Sequence, residues 1–126
     1  MHEMSIVMRF VDIAKEYAIK NNAQKVYKVV LQIGELTGVV PSYLQMFYPA
    51  VVEGTILEGS ELVVEVVEGS VFCKNCGATY NPSKTDMKCP ECKSEACDVI
   101  DGNHMFVSEI AIGETSATEY NYAKNE

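Results

Sequence analysis

What this sequence lacks narrows its chemistry before any motif is read. No apolar run in the 126 residues approaches the ~18 that a membrane-spanning helix requires. The basic, apolar and small regions of a secretory signal are absent from the N-terminus. Positive charge is scarce: 10 Lys and Arg stand against 18 Asp and Glu, for a net charge of -8. A chain so acidic is poorly suited to neutralising phosphates, so nucleic acid is not an expected partner. There is no G-x-S-x-G elbow, P-loop or G-x-G-x-x-G turn, and neither of the two histidines lies near a cysteine in sequence. The expectation is a soluble, cytoplasmic, non-enzymatic protein with no catalytic residues and no membrane or nucleic-acid partner.

Cysteine is what the sequence does have, and four of its five are paired by spacing. Cys73-Lys-Asn-Cys76-Gly77 is followed by Cys89-Pro-Glu-Cys92. Thiolates at i and i+3 can face one centre, and two such pairs complete a tetrahedron. Clustered cysteines in a reducing compartment favour metal over disulfides. A site of four cysteines leaves no open coordination position, so the expected ion is structural zinc held by Cys73, Cys76, Cys89 and Cys92. The residues between the pairs offer little to build a core, and metal binding would supply the ordering free energy, about 10–16 kcal/mol. Residues 73–97 carry +1 and the remainder -9. Lys74, Lys84, Lys88 and Lys93 therefore read as counter-charges to a -2 thiolate centre.

Ile6, Phe10, Ile13, Ala14 and Tyr17 recur at helical spacing within residues 3–22, ending at Asn21-Asn22. Met4 and Met8 share a face, for which core filling is the expected role. Val26 to Ile33 reads as a strand, and Gly34-Glu35-Leu36-Thr37-Gly38 as a turn. Pro41 opens a second helix, with Leu44, Phe47, Tyr48 and Val51 as its stripe up to about Glu53. Strands follow at Leu62 to Val67 and, after Asp101-Gly102-Asn103, at Met105 to Ile112. The predicted fold class is α+β, two helices packed on a small three-stranded sheet, with an inserted four-cysteine zinc-ribbon module. The expected domains are 1–70 plus 100–112, a zinc module at 71–99, and a loosely held tail at 113–126.

Three further residues invite a chemical reading. An α-amine, a deprotonated amide and the imidazole of a second residue can chelate nickel(II) or copper(II) in fused rings, so Met1-His2-Glu3 is a candidate site. Taken alone, a frayed surface end is the commoner role for an N-terminal histidine. His104 reads as a strand-end residue rather than a ligand. Cys97 reads as a buried small hydrophobe, with an alternative ligand or redox-sensitive thiol as the sharper option.

In this order, Met1-His2-Glu3 opening an amphipathic helix, Ile33-Gly34-Glu35-Leu36-Thr37-Gly38-Val39, Pro41, Gly54-Thr55 and C-x-x-C…C-P-x-C resemble the HypA/HybF family over nearly the whole chain. That resemblance implies a nickel metallochaperone for nickel–iron hydrogenase and, in some bacteria, urease. It places weakly held, transported nickel at Met1, His2 and Glu3, and structural zinc on the four cysteines. It implies as partners a hydrogenase-maturation GTPase, the hydrogenase large subunit and urease maturation proteins. Two departures stand out. Gly102-Asn103-His104-Met105 replaces the Gly-Arg-Glu-Leu common before the last strand, and Lys93 follows the second cysteine pair where glycine is usual, predicting a differently shaped knuckle. The competing reading is a zinc-ribbon adaptor that contacts protein or nucleic acid through residues 73–92.

Overall fold

Helix α1 (Glu3–Lys20) buries Val7, Phe10, Val11, Ala14 and Ala18. The computed structural model to which it belongs describes residues 3–113 and 120–124. The buried stripe is rotated from the predicted one: Phe10 and Ala14 are shared, while Ile6, Ile13 and Tyr17 flank it half-exposed. That rotation carries Met4 and Met8 into solvent, 40% and 53% exposed, so neither fills the core. The helix ends where Asn22 enters the left-handed region at φ 55°, a conformation asparagine tolerates better than most residues.

Strand β1 (Lys25–Gly34) follows, then a 3-10 turn at Glu35–Thr37 closed by Gly38 at φ 77°. Helix α2 (Pro41–Val52) starts on its proline, whose missing N–H would have had no helical acceptor, and buries Leu44, Tyr48 and Val52. It packs on α1. Strands β2 (Glu61–Val67), β3 (Ser70–Cys73), β4 (Thr79–Tyr80), β5 (Cys97–Asp101), β6 (Met105–Gly113) and β7 (Tyr120–Lys124) complete the chain. They make two sheets, in the orders β2-β1-β6-β7 and β4-β3-β5.

The expected three-stranded sheet is β2-β1-β6, and β7 adds to it antiparallel on β6. The tail expected to be loosely held therefore contributes a strand at Tyr120–Lys124. Its other residues beyond Gly113 lie outside the described part of the chain.

The chain divides into two units. The first comprises the residues up to Gln32, Val39–Glu65 and those from Phe106 onward. Its core joins Val7, Phe10, Leu31, Leu44, Leu57 and Ile110, each at most 7% exposed. The second comprises Ile33–Gly38 and Val66–Met105. Strands β3 and β4 pair antiparallel, as do β3 and β5, with Cys73 opposite Cys97. The second unit has a small core of its own, Val71, Cys73, Tyr80 and Cys89, with Leu36, Ala78, Cys92 and Cys97 packed against it. Half of those eight side chains are thiols.

Three passes of the chain meet in the second unit at glycines. A Cβ on Gly34 would collide with the Gly102 carbonyl, and one on Gly102, itself at φ 88°, would reach within 2.6 Å of the Gly69 Cα. The passes are bonded where they cross, through Gly34 N–H to the His104 carbonyl and Leu36 N–H to the Gly102 carbonyl, both at 2.7 Å. The turn at Gly34–Gly38 was legible in sequence; this crossing was not.

Candidate metal centre

Each cysteine pair sits on a knuckle built by the same two backbone bonds. In the first, Gly77 N–H donates to the Cys73 carbonyl at 3.0 Å and Cys73 N–H to the Ala78 carbonyl at 2.8 Å. In the second, Lys93 N–H donates to the Cys89 carbonyl and Cys89 N–H to the Ser94 carbonyl, both at 2.9 Å. The shape requires a left-handed residue at its fifth position, and Gly77 takes it at φ 82°. Lys93 takes it at φ 67°, so the second knuckle is not reshaped by its lysine; it keeps the geometry and carries the strain.

The knuckles bring four sulfurs together. Cys73 Sγ lies 3.6 Å from Cys92 Sγ, Cys76 Sγ lies 3.5 Å from Cys89 Sγ, and all four fall within 4.8 Å of one another. A zinc ion with Zn–S bonds of about 2.3 Å has tetrahedral edges of about 3.8 Å, which this set nearly matches. An all-sulfur donor set of this geometry fits zinc, and it is saturated. Cys73 and Cys89 are buried, Cys92 half-buried and Cys76 exposed.

The proton affinities of the two outer thiols diverge. The Asn75 side chain first, then the Ser94 amide, hold Cys92 down to about 6. For Cys76 the Ala78 amide pulls downward, but hydrogen bonding with Cys89, desolvation and the other two thiols push it up to about 12. The Glu91 N–H also points at Cys89 Sγ, at 3.4 Å. Amide dipoles thus already favour part of the negative charge that a divalent ion would neutralise.

Two of the four nearby lysines are engaged away from the thiols. Lys74 pairs with Asp98 at 3.4 Å and Lys84 with Glu68 at 3.2 Å, all with side chains more than half exposed. Such exposed pairs contribute little to stability. His104 stands at the strand end, its Nδ1 3.5 Å from an Asp101 oxygen. Cys97 is half-buried against the thiol core. Beside it the Tyr80 hydroxyl is buried; desolvation, then the Cys97 thiol, pushes its ionisation up to about 12. Among the described residues, no other group of three or more His, Cys, Asp or Glu could hold a metal.

Of the N-terminal candidates, Met1 and His2 lie outside the described residues. Glu3 is the first residue of α1, and its Oε2 accepts from the Val40 amide at 3.3 Å. A residue the sequence left as part of a turn proves to be tied into the metal-bearing unit. Glu35 Oε1 accepts from Gly69 N–H at 2.9 Å and from Asn81 Nδ2 at 3.0 Å. Those bonds, the Gly69 amide first, hold its carboxyl below the ordinary range. Its partners are 34 and 46 residues away, which no local pattern reveals.

An α+β unit joined to a saturated thiol module defines a metal-handling protein with a structural ion. Residues 1–112 match the model of a family described as hydrogenase/urease nickel incorporation, metallochaperone, HypA. The chain is 38% identical over 112 residues to the hydrogenase maturation factor HypA of Aquifex aeolicus, covering 89% of this chain and 97% of that one. It is likewise 38% identical to the HypA of a Geobacter species, covering 89% of this chain and 99% of the relative. The solution structure of the nickel metallochaperone HypA from Helicobacter pylori superposes with a TM-score of 0.63 at 26% identity, covering 90% of this chain and 99% of that one. The chain belongs to the HypA family of hydrogenase/urease nickel-incorporation metallochaperones. The zinc-ribbon adaptor reading is set aside.

Proposed function

We propose that this chain divides two metals between two places: zinc on Cys73, Cys76, Cys89 and Cys92, and exchangeable nickel at Met1, His2 and Glu3. The carrying observation is the closed thiol cluster. Four sulfurs at tetrahedral spacing leave no position for a cargo that must enter and leave. Zinc, when bound, neutralises the thiolates and orders the second unit; it offers no site for catalysis.

The start of α1 supports the N-terminal assignment. Amides in the first helical turn have no intrahelical acceptor, so losing a proton to a metal there breaks no ladder bond. Negative charge developing at that end is also favoured by the helix dipole. The Glu3 carboxylate accepts one bond, from the Val40 amide to Oε2, and its contribution to nickel is a backbone nitrogen or a carboxylate oxygen. Few ligands on a chain terminus make for weak binding, and amine, amide and imidazole must all be deprotonated, so affinity falls with acid. The cargo passes to a maturation GTPase and the hydrogenase large subunit, or to urease maturation proteins, in the cytoplasm, where thiols stay reduced. No described helix is long and apolar enough to cross a membrane.

The test is nickel titration of the native chain and of a variant extended by a few residues ahead of Met1, with zinc measured in both. The extension is expected to abolish nickel binding and leave zinc at one per chain. Equal nickel affinity in the two would overturn the assignment.

A further inference from the structure

We propose that Cys97 is a resolving thiol: it faces Cys73 across strands β3 and β5, and under peroxide the two join in a disulfide that opens the zinc site. This inference rests on the assignment of zinc to the four cysteines made above. Of the five thiols, Cys97 alone lies outside the group whose sulfurs fall within 4.8 Å of one another. Cys73, Cys76, Cys89 and Cys92 fill a tetrahedron, so Cys97 has no metal bond to make and none to lose. It is nevertheless held against them, packed on the core that contains Cys73 and Cys89.

The strand register fixes its partner. β3 and β5 run antiparallel, with Phe72 opposite Asp98 and Cys73 opposite Cys97. One residue further on, Lys74 N–H donates to the Ala96 carbonyl at 3.0 Å. That bond belongs to the neighbouring pair, so Cys73 and Cys97 form a non-hydrogen-bonded pair, the kind whose Cα atoms lie about 4.5 Å apart with both side chains on one face. A disulfide spans Cα separations of about 4.4–6.8 Å, so the two sulfurs can join without unpairing the strands. Access differs between them: Cys73 is 0% exposed, whereas Cys97 is half-buried, and a small oxidant reaches Cys73 through Cys97.

The chemistry takes two steps. Hydrogen peroxide transfers an oxygen to the Cys97 sulfur, giving a sulfenic acid and water. The Cys73 thiolate then attacks that sulfur; the S–S bond forms, and hydroxide leaves and takes a proton from solvent. The two thiols lose two electrons between them, and the peroxide gains both. A bond between two ligands, such as Cys76 and Cys89 with sulfurs 3.5 Å apart, would cost the metal two donors at once. The Cys73–Cys97 bond costs one, and the three thiols left behind keep the knuckles poised to close again once it is reduced.

The experiment treats the zinc-loaded full chain with hydrogen peroxide, follows zinc release with a coloured chelator and maps disulfides without reduction. Cleavage after lysine puts Cys73, Cys76, the Cys89–Cys92 pair and Cys97 on separate peptides, so each linkage is read by mass. The wild-type chain is expected to yield the Cys73–Cys97 linkage in step with zinc release. It is also expected to regain its zinc after dithiothreitol, which a sulfinic or sulfonic end product would not allow. Cys97→Ser and Cys97→Ala, both still loaded with zinc, are expected to lose that linkage and to release zinc more slowly; either variant answers the question if the other fails to fold. Zinc release at the wild-type rate in these variants overturns the role of Cys97 and leaves the zinc assignment standing. So does a principal linkage from Cys76 to the Cys89–Cys92 peptide with Cys97 left as a thiol. Wild-type zinc affinity in the double variant Cys76→Ser with Cys89→Ser overturns both.

Discussion

The two units reach order by different means. The first closes over aliphatic and aromatic side chains brought together from α1, α2, β1 and β6, with Leu44 and Leu57 wholly excluded from water. The cluster around the thiols in the second has Val71 and Tyr80 as its buried apolar anchors besides the sulfurs of Cys73 and Cys89. One is held by solvent exclusion over large area, the other by ligation at a point. The difference explains why a 3-10 turn, two knuckles and short strands suffice around the thiols: the metal replaces the core that so few side chains cannot build.

The comparison breaks most visibly at the thiols. Cys89→Ser, or chelation of the metal, is expected to abolish hydrogen-exchange protection at Val71 and Tyr80 while Leu31 and Leu44 keep theirs. The free energy at stake is about 10–16 kcal/mol of metal binding. Protection surviving at Val71 without metal would mean the small core suffices by itself. A complementary cut falls in the first unit: Leu44→Ala, at a fully buried position, is expected to lower stability in a denaturant titration by about 2–5 kcal/mol and leave zinc at one per chain. Zinc lost together with stability would show that the units are not separately held.

The smallest effect sharpens the comparison within the second unit, between its two knuckles. Lys93→Gly should relieve the left-handed strain that Gly77 avoids, slowing zinc loss to a competing chelator by an amount worth roughly 1 kcal/mol. No change, or faster loss, would show that the lysine conformation costs nothing there.

Much of the fold was legible in sequence because its causes are local. The helical period of residues 3–22 and the proline at 41 marked α1 and α2, and the C-x-x-C spacing named the donor set. Local patterns failed where a partner far along the chain decides. The α1 stripe turned from Ile6 and Ile13 to Val7 and Val11, leaving Met4 and Met8 outside. Lys74, next to Cys73 in sequence, and Lys84, between the two cysteine pairs, form ion pairs with Asp98 and Glu68. The chain order around Lys93 predicted a changed knuckle, yet two backbone bonds impose the same turn on lysine as on glycine.

By itself, then, the sequence determined which atoms can bind metal and which segments coil or extend, because ligand chemistry and backbone periodicity act over a few residues. Only the tertiary structure decided that Glu35 takes its two donors from Gly69 and Asn81, and that Glu3 takes one from Val40. A carboxylate accepts any N–H that packing brings within reach, and nothing in its neighbours along the chain says which one that will be.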